Sequence, residues 1–215
     1  MAAGRLAQFF TAMEPDAVEI RVLGCLIEKQ HTTPDVYPLT LNALRLACNQ
    51  STNRDPVVDY DENTIRSAIE RLVQRRWATL ASWSNRRSMK YRHTLDGALG
   101  LSEPEISLLA VLMLRGPQTL GELKQRTERL HRFLSLAEVA QTLDVLSGRE
   151  LATRLERRPG QKEERYAQLL GETPEDQGSD PADHTPAAPD RLGGFEARLA
   201  RLEAAFDELS ARLDS

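Results

Sequence analysis

The stretch that decides the fold is Glu19–Ile27, EIRVLGCLI, because it returns later in the chain as Glu105–Met113, EISLLAVLM. Downstream of it, Thr40–Arg45 (TLNALR) returns as Thr119–Lys124 (TLGELK). Four further positions keep the same order and character: Ile65, Ile69, Leu72 and Tyr91 return as Val139, Leu143, Leu146 and Tyr166. The offset between copies drifts from 86 to 74 residues, as small differences in loop length produce. The chain is therefore a duplicated domain rather than a long repeat array.

Length and composition agree with two small domains. A chain of 215 residues allows one or two compact units, and the duplication places them at residues 14–96 and 101–170. No apolar run approaches the roughly 20 residues that cross a membrane, so no membrane association is expected. The first residues, Met1–Thr11, contain an apolar patch too short for a secretory signal, which predicts a cytoplasmic protein.

The two cysteines and four histidines predict no metal site and no cofactor. Cys25 and Cys48 each lie in an apolar helical pattern, which is typical of buried structural cysteines. Neither is part of a CxxC pair, and the histidines are scattered singly along the chain.

Each copy reads as three helices followed by a β-hairpin. In the first copy, a helix is predicted from Asp16 to about Lys29, a second begins at the cap Thr40, and a third begins at the cap Asp61. The period of the apolar side chains then changes from 3.6 residues, typical of a helix, to 2 residues, typical of a strand, across Trp77–Ala81 and Met89–Tyr91. A turn is predicted between them at Ser84–Arg87.

The second copy repeats this pattern. Its predicted helices are Pro104–Leu114, Thr119–Thr127 and Ser135–Arg149, and its hairpin pairs Leu151–Glu156 with Glu164–Gln168 around a turn at Arg158–Gly160. Three helices and a hairpin form the winged-helix arrangement. The predicted fold is thus mostly α with small β-hairpins (α+β), in two tandem winged-helix domains.

The C-terminal part has a different composition. Residues 171–190 consist largely of Pro, Asp, Glu and Gly and predict an acidic flexible linker. Residues 191–215 then carry apolar side chains at alternating spacings of three and four, which predicts a heptad helix that forms a homodimer. The predicted dimer contacts are Leu199, Leu202, Phe206, Leu209 and Leu213. An amphipathic helix folded back on its own domains is the alternative.

Several short motifs resemble the YceH-like family of uncharacterised bacterial proteins. They begin with LGCLIEKQ at residues 23–30, TTP at 32–34 and YPL at 37–39. They continue with ACNQ at 47–50, TNR at 52–54 and LRGPQT at 114–119. The resemblance spans most of residues 14–215 and implies tandem winged helices, but it implies no biochemical activity.

Charge points to DNA as the first candidate partner. The net charge of −4 comes from the last 45 residues, while residues 64–95 carry eight Lys and Arg against one acidic residue, Glu70. Winged helices place the third helix in the major groove and the wing on the backbone, where Lys and Arg bind phosphates. The residues predicted to contact DNA are Asn53, Arg54, Asn63, Arg66, Arg71, Arg86, Arg87 and Lys90. A solvated helix face is the alternative for the arginines, and local turns and caps are the alternative for the polar Asn49–Arg54 cluster.

Other features favour a protein partner. The third helix opens with Asp61 and Glu62, and its counterpart in the second copy shows neutral or acidic outward residues such as Glu138 and Asp144. The alternative function is therefore a protein-interaction adaptor, similar in layout to chromosome-segregation winged-helix subunits. An enzyme is not expected, because the sequence contains no phosphate-binding glycine loop, nucleophile elbow or HExxH motif.

Overall fold

The computed structural model describes residues 14–81, 89–157 and 163–172. All of them belong to one unit of the chain, residues 1–176. Within them, seven helices and two small antiparallel sheets of three strands form a mixed α and β structure. Across these ranges, no helix combines the length and the apolar character needed to cross a membrane.

The first repeat contains three helices and one sheet. Its elements are α1 (Ala17–Thr32), β1 (Leu39–Thr40), α2 (Leu41–Cys48), α3 (Glu62–Gln74), β2 (Ala78–Ala81) and β3 (Lys90–His93). The strand order is β1-β3-β2, and Tyr91 of β3 is paired with Leu39 on one side and Leu80 on the other. A short helix, α4 (Leu95–Leu99), leads into the second repeat.

The second repeat has the same element order and the same sheet topology. Its elements are α5 (Glu103–Arg115), β4 (Gln118–Thr119), α6 (Leu120–Arg126), α7 (Leu136–Gly148), β5 (Ala152–Leu155) and β6 (Arg165–Gln168). The strand order is β4-β6-β5, with Tyr166 between Gln118 and Arg154. The two sequence repeats thus fold into the same order of helices and strands.

Helix starts follow from local capping chemistry. The predicted caps are confirmed, because Thr40 accepts a hydrogen bond from the backbone of Ala43 and Asp61 accepts one from Thr64. Helix α1 opens with a reciprocal capping box, in which Asp16 accepts from the Glu19 backbone and Glu19 accepts from the Asp16 backbone.

The two repeats share one hydrophobic core, centred on the contact between α1 and α5. Residues 19–27 of α1 and 105–114 of α5 are all buried, so these helices are enclosed by protein on every side. Gly24 allows their close approach, because a Cβ atom there would lie 3.0 Å from the side chain of Leu114 and from Met113. The repeated stretches that mark the duplication, in α1 and α5, therefore also form the contact between the two repeats.

Helices α1 and α5 each bury one glutamate, and each glutamate is paired with arginine from its own repeat. Glu19 accepts from Arg71 Nε at 3.0 Å and from Arg75 Nε at 3.1 Å. Glu105 accepts from Arg149 Nη1 at 3.0 Å. Arg75 and Arg149 occupy equivalent places after α3 and α7, so the duplication preserves an ion pair as well as the apolar core.

The structure adds elements that the sequence patterns did not predict. The two-residue strands β1 and β4 are too short to show a period of two, yet each completes a three-stranded sheet. Helix α4 crosses the predicted boundary between residues 96 and 101. The predicted turns at Ser84–Arg87 and Arg158–Gly160 lie wholly or partly outside the described residues, as does most of the region from residue 171 onward.

Candidate nucleic-acid interface

Helix α3 exposes the polar face on which the predicted DNA contact depends. Asn63 and Arg66 are both exposed near its N-terminus. Arg66 Nη2 lies 2.6 Å from Glu62 Oε1 one turn earlier, and both side chains are about half exposed. Such a surface pair is worth under about 1 kcal/mol, so a phosphate competes with Glu62 at little cost.

Tyr91 on strand β3 is buried within electrostatic reach of α3. Burial and the nearby charge of Glu70 raise the pKa of Tyr91 on β3, while the charge of Arg66 opposes them. Lys90 is half-buried at the start of the same strand, paired in register with Thr40 and Ala81. The structure thus places Asn63 and Arg66 on the exposed face of α3, and Lys90 at the start of β3 in the same repeat.

Arg71 faces α1 instead. Its guanidinium is hydrogen-bonded to Glu19 and to Asp16, and its side chain is 40% exposed. These partners raise the pKa of Arg71 against the opposing effect of burial. Arg71 therefore holds α3 against the start of α1, which argues against its predicted role as a DNA contact.

Arg54 is withdrawn from solvent altogether. Its side chain is 0% exposed, and all five N–H donors are used within the protein. Nε donates to Ala47 O, Nη1 donates to Glu28 Oε1 and Asn53 O, and Nη2 donates to Glu28 Oε2 and Gln50 Oε1. No donor is left for a phosphate, so this placement argues against the predicted DNA contact at Arg54.

The polar side chains of the loop around Arg54 are mostly hydrogen-bonded to residues distant in sequence, rather than through the local turns and caps of the alternative interpretation. Asn49 donates to Tyr60 O at 2.8 Å and accepts from Tyr60 N at 2.9 Å, which closes the loop between α2 and α3. Asn53 is exposed with φ of 61°, and its side-chain oxygen accepts from Arg115 of the second repeat. Asn53 therefore joins the two repeats and lies apart from the α3 face that carries the predicted DNA contacts.

The predicted wing arginines Arg86 and Arg87 lie outside the described residues. So do the predicted dimer contacts, Leu199, Leu202, Phe206, Leu209 and Leu213. In the ranges that are described, no group of three or more His, Cys, Asp or Glu has the arrangement of a metal site.

The equivalent face of the second repeat has different chemistry. Around α7, Leu134 is 85% exposed, Leu136 is 50% exposed and Val145 is 53% exposed. In the first repeat the positions equivalent to Leu136 and Val145 are Glu62 and Arg71. Two charged positions of α3 are thus replaced by exposed apolar side chains in α7.

A cleft between the repeats contains arginines that the sequence reasoning missed. It is lined by Arg115, Arg126 and Arg129 of the second repeat and by Glu28 and Asn53 of the first. No single segment contains all of these charges, because the lining residues come from four separate segments of the chain. The run KQRTERLHR at residues 124–132 was the one available signal.

Comparison with known proteins identifies the family. The family described as "Protein of unknown function, DUF480" matches residues 16–161. A UPF0502 protein of Geotalea uraniireducens is 46% identical over 196 residues, covering 90% of this chain and 89% of the relative. A UPF0502 protein of Pseudomonas aeruginosa is 47% identical over 190 residues, with 86% and 84% covered. These matches confirm the resemblance to an uncharacterised bacterial family, and the chain accordingly belongs to the DUF480 family, together with these UPF0502 proteins.

Proposed function

We propose that the two repeats are winged-helix domains and that the protein is a non-enzymatic, transcription-related DNA-binding protein. Two features support the winged-helix assignment: the order of helices and strands in each repeat, and a helix (α3 or α7) placed directly before a β-hairpin. In this arrangement α3 enters the major groove, and the β2–β3 hairpin contacts the backbone.

The exposed face of α3 is the observation that carries the proposal. Asn63 and Arg66 are free to face base edges and phosphates once the weak pair with Glu62 opens. Lys90 follows the segment that contains Arg86 and Arg87, which supplies further cations to the same repeat. The proposed DNA contacts are therefore fewer than the sequence alone predicted: Asn63, Arg66, Arg86, Arg87 and Lys90.

Fluorescence anisotropy with a labelled duplex of arbitrary sequence tests this function. With about four phosphate contacts, we expect log K to fall with log[salt] at a slope of about −3 to −4. The double variant Arg86→Ala/Arg87→Ala is expected to reduce that slope by about 2, and Arg66→Gln by about 1. Arg132→Gln is the matched control, because Arg132 lies in the second repeat with an 80% exposed side chain. Absence of binding at about 50 mM salt overturns the proposal.

The apolar surface around α7 favours a second candidate, a protein-interaction adaptor. Leu136 and Val145 are exposed at positions where the first repeat carries Glu62 and Arg71, Leu134 is exposed just before α7, and exposed apolar side chains in one region can mark a protein interface. A pull-down with wild-type protein and a Leu134→Ser/Val145→Ser variant tests it. A stoichiometric partner recovered by the wild type and lost by the variant supports the adaptor, and equal recovery by both contradicts it.

We also propose that the C-terminal heptads make the protein a homodimer. The support is the uninterrupted spacing of Leu199, Leu202, Phe206, Leu209 and Leu213. Sedimentation equilibrium is expected to give a dimer for the wild type and a monomer for Leu202→Lys/Leu209→Lys. A monomeric wild-type protein overturns the proposal.

A further inference from the structure

The cleft between the repeats has the character of an anion site. Its volume is about 380 Å³, within the range of small-molecule sites. Three arginines line it, all from the second repeat: Arg115 at the end of α5, Arg126 at the end of α6, and Arg129 in the following turn. The apolar side chains of Val111, Leu114 and Leu130 line it as well.

Among the described residues, Glu28 is the carboxylate that lines this cleft, and it is already paired. Both of its oxygens accept from Arg54, at 3.1 and 2.7 Å, and Lys29 lies 3.4 Å from Oε2. Burial opposes ionisation, but the hydrogen bonds and charge of Arg54 outweigh it and hold the pKa of Glu28 below its usual range. Glu28 therefore offsets the charge of Arg115 only in part, because both of its oxygens are already hydrogen-bonded to Arg54.

The three arginines are poorly compensated within the protein. Arg115 is hydrogen-bonded to Asn53, which is neutral. Arg126 Nη2 lies 3.2 Å from Glu122, in a pair whose side chains are 30% and 40% exposed. Arg129 is exposed and has no ion pair anywhere in the three described ranges. Only Arg126 of these three arginines has an ion pair within the described ranges, and like charges that lie close together repel one another, so an anion bound among them would be stabilised.

The electrostatics at Arg115 agree with this geometry. Burial lowers the pKa of Arg115, and the positive charges of Arg126 and Arg54 lower it further, while the negative charges of Glu28 and Glu122 oppose them without reversing the shift. A group that is half-buried beside like charges gains most from a bound anion. Arginine is suited to this task, because its planar fork donates two parallel hydrogen bonds to a phosphate or carboxylate.

We infer that this cleft binds a small organic phosphate of nucleotide size, with the phosphate among Arg115, Arg126 and Arg129 and the organic part over Val111, Leu114 and Leu130. The apolar lining distinguishes such a ligand from inorganic phosphate, which gains nothing from it. The ligand would touch both repeats, since Glu28 and Asn53 of the first repeat line the same cleft. This inference is independent of the proposed DNA binding through α3.

Calorimetric titration of the full-length protein with adenosine monophosphate tests the inference, with inorganic phosphate and adenosine as separate arms. We expect saturable binding of the nucleotide, weaker binding of phosphate and weakest binding of adenosine, because the charge-assisted hydrogen bonds dominate. Binding should also raise the melting temperature, since the ligand stabilises the folded state.

Two variants locate the site. Arg115→Gln and Arg129→Gln are each expected to weaken nucleotide binding about tenfold or more, as loss of a charge-assisted hydrogen bond does. Arg132→Gln is the matched control and should bind normally, because it lies outside the cleft lining and pairs with Glu128. Arg129 is exposed, so its variant is expected to fold even if Arg115→Gln does not.

Three results overturn the inference. The first is no saturable binding of any of the three probes at millimolar concentration. The second is nucleotide binding that both arginine variants retain. The third is displacement of the bound nucleotide by short duplex DNA, which would make the cleft part of a nucleic-acid surface. Binding that depends on Arg115 or Arg129 and resists DNA supports it.

Discussion

Arg54 and Glu28 form a bidentate ion pair that joins the loop after α2 to helix α1, with Nη1–Oε1 at 3.1 Å and Nη2–Oε2 at 2.7 Å. The arginine side chain is 0% exposed and the glutamate side chain is 12% exposed. The backbone adds two acceptors, Ala47 O at the end of α2 and Asn53 O in the loop. A charge buried in this way is tolerated because every donor has an acceptor.

Removing one partner of this pair is expected to destabilise the fold strongly. Glu28→Gln leaves the Arg54 charge buried and uncompensated, which costs about 3–5 kcal/mol of unfolding free energy. Chemical denaturation followed by circular dichroism measures the change. The control is Glu62→Gln, which breaks the exposed pair with Arg66 and should cost under about 1 kcal/mol. Equal losses for the two variants would contradict a special role for the Arg54–Glu28 pair.

Gly24 is expected to resist enlargement, because α1 and α5 touch there. Valine at this position would force its Cβ to within 3.0 Å of Leu114 and Met113, and we expect Gly24→Val to cost about 1–3 kcal/mol. The matched control is Gly121→Val in α6, where an added Cβ meets no other atom within 4 Å. Thermal unfolding of both variants measures the loss of stability. A Gly24 variant as stable as the control would contradict the prediction and show that α1 and α5 can move apart at little cost.

Burial of His93 predicts a loss of stability in acid. The side chain is nearly inaccessible, and within the described chain neither ring nitrogen has a hydrogen-bond partner. Burial lowers the pKa of His93 to about 4, with His31 and Arg92 acting in the same direction and Asp96 opposing them. An unfolded histidine has a pKa near 6.5, so the unfolded state binds the proton first as pH falls.

Stability is therefore expected to fall between about pH 6.5 and pH 4, by up to about 3 kcal/mol from this one residue. Urea denaturation across that range measures it. The variant His93→Leu removes the titration and should flatten the curve above about pH 4.5, whatever its effect on absolute stability. An unchanged slope in the variant would assign the acid sensitivity to other groups.

The cysteines are expected to be inert in the folded protein. Cys25 and Cys48 are both free and fully buried. Contact with the Cys25 thiol and burial hold the pKa of Cys48 well above its usual range, which keeps that thiol protonated. A thiol reagent should react with neither residue in buffer and with both in guanidinium chloride. Rapid reaction in buffer, assigned with Cys25→Ser and Cys48→Ser, would contradict the predicted structural role.

Local patterns predicted the elements well where local chemistry decides them. The caps Thr40 and Asp61 and the apolar positions Ile65, Ile69 and Leu72 lie where their periods and neighbours require. The short strands β1 and β4 were not predicted. A two-residue strand is too short to show an alternating pattern, and it is defined only by its hydrogen bonds to the neighbouring strand.

The candidate site was less predictable than the fold, because an arginine in a sequence does not reveal its partner. Arg66 and Arg71 lie five residues apart on the same helix, and sequence reasoning gave them the same role. The structure separates them: Arg66 stays on the exposed face, whereas Arg71 turns to Asp16 and Glu19 in α1.

The sequence by itself determined the duplication, the capped amphipathic helices and the hairpins, because these depend on side-chain period and on contacts within a few residues. Tertiary structure alone decided which cations remain available to a ligand. Arg54 reaches Glu28 across 26 residues and Arg71 reaches Glu19 across 52, while Arg115 meets Asn53 across 62 and lines a cleft with Arg126 and Arg129. Such pairs form only when distant parts of the chain pack together. Whether an arginine can bind a ligand then depends on the charged groups that lie beside it in the folded protein.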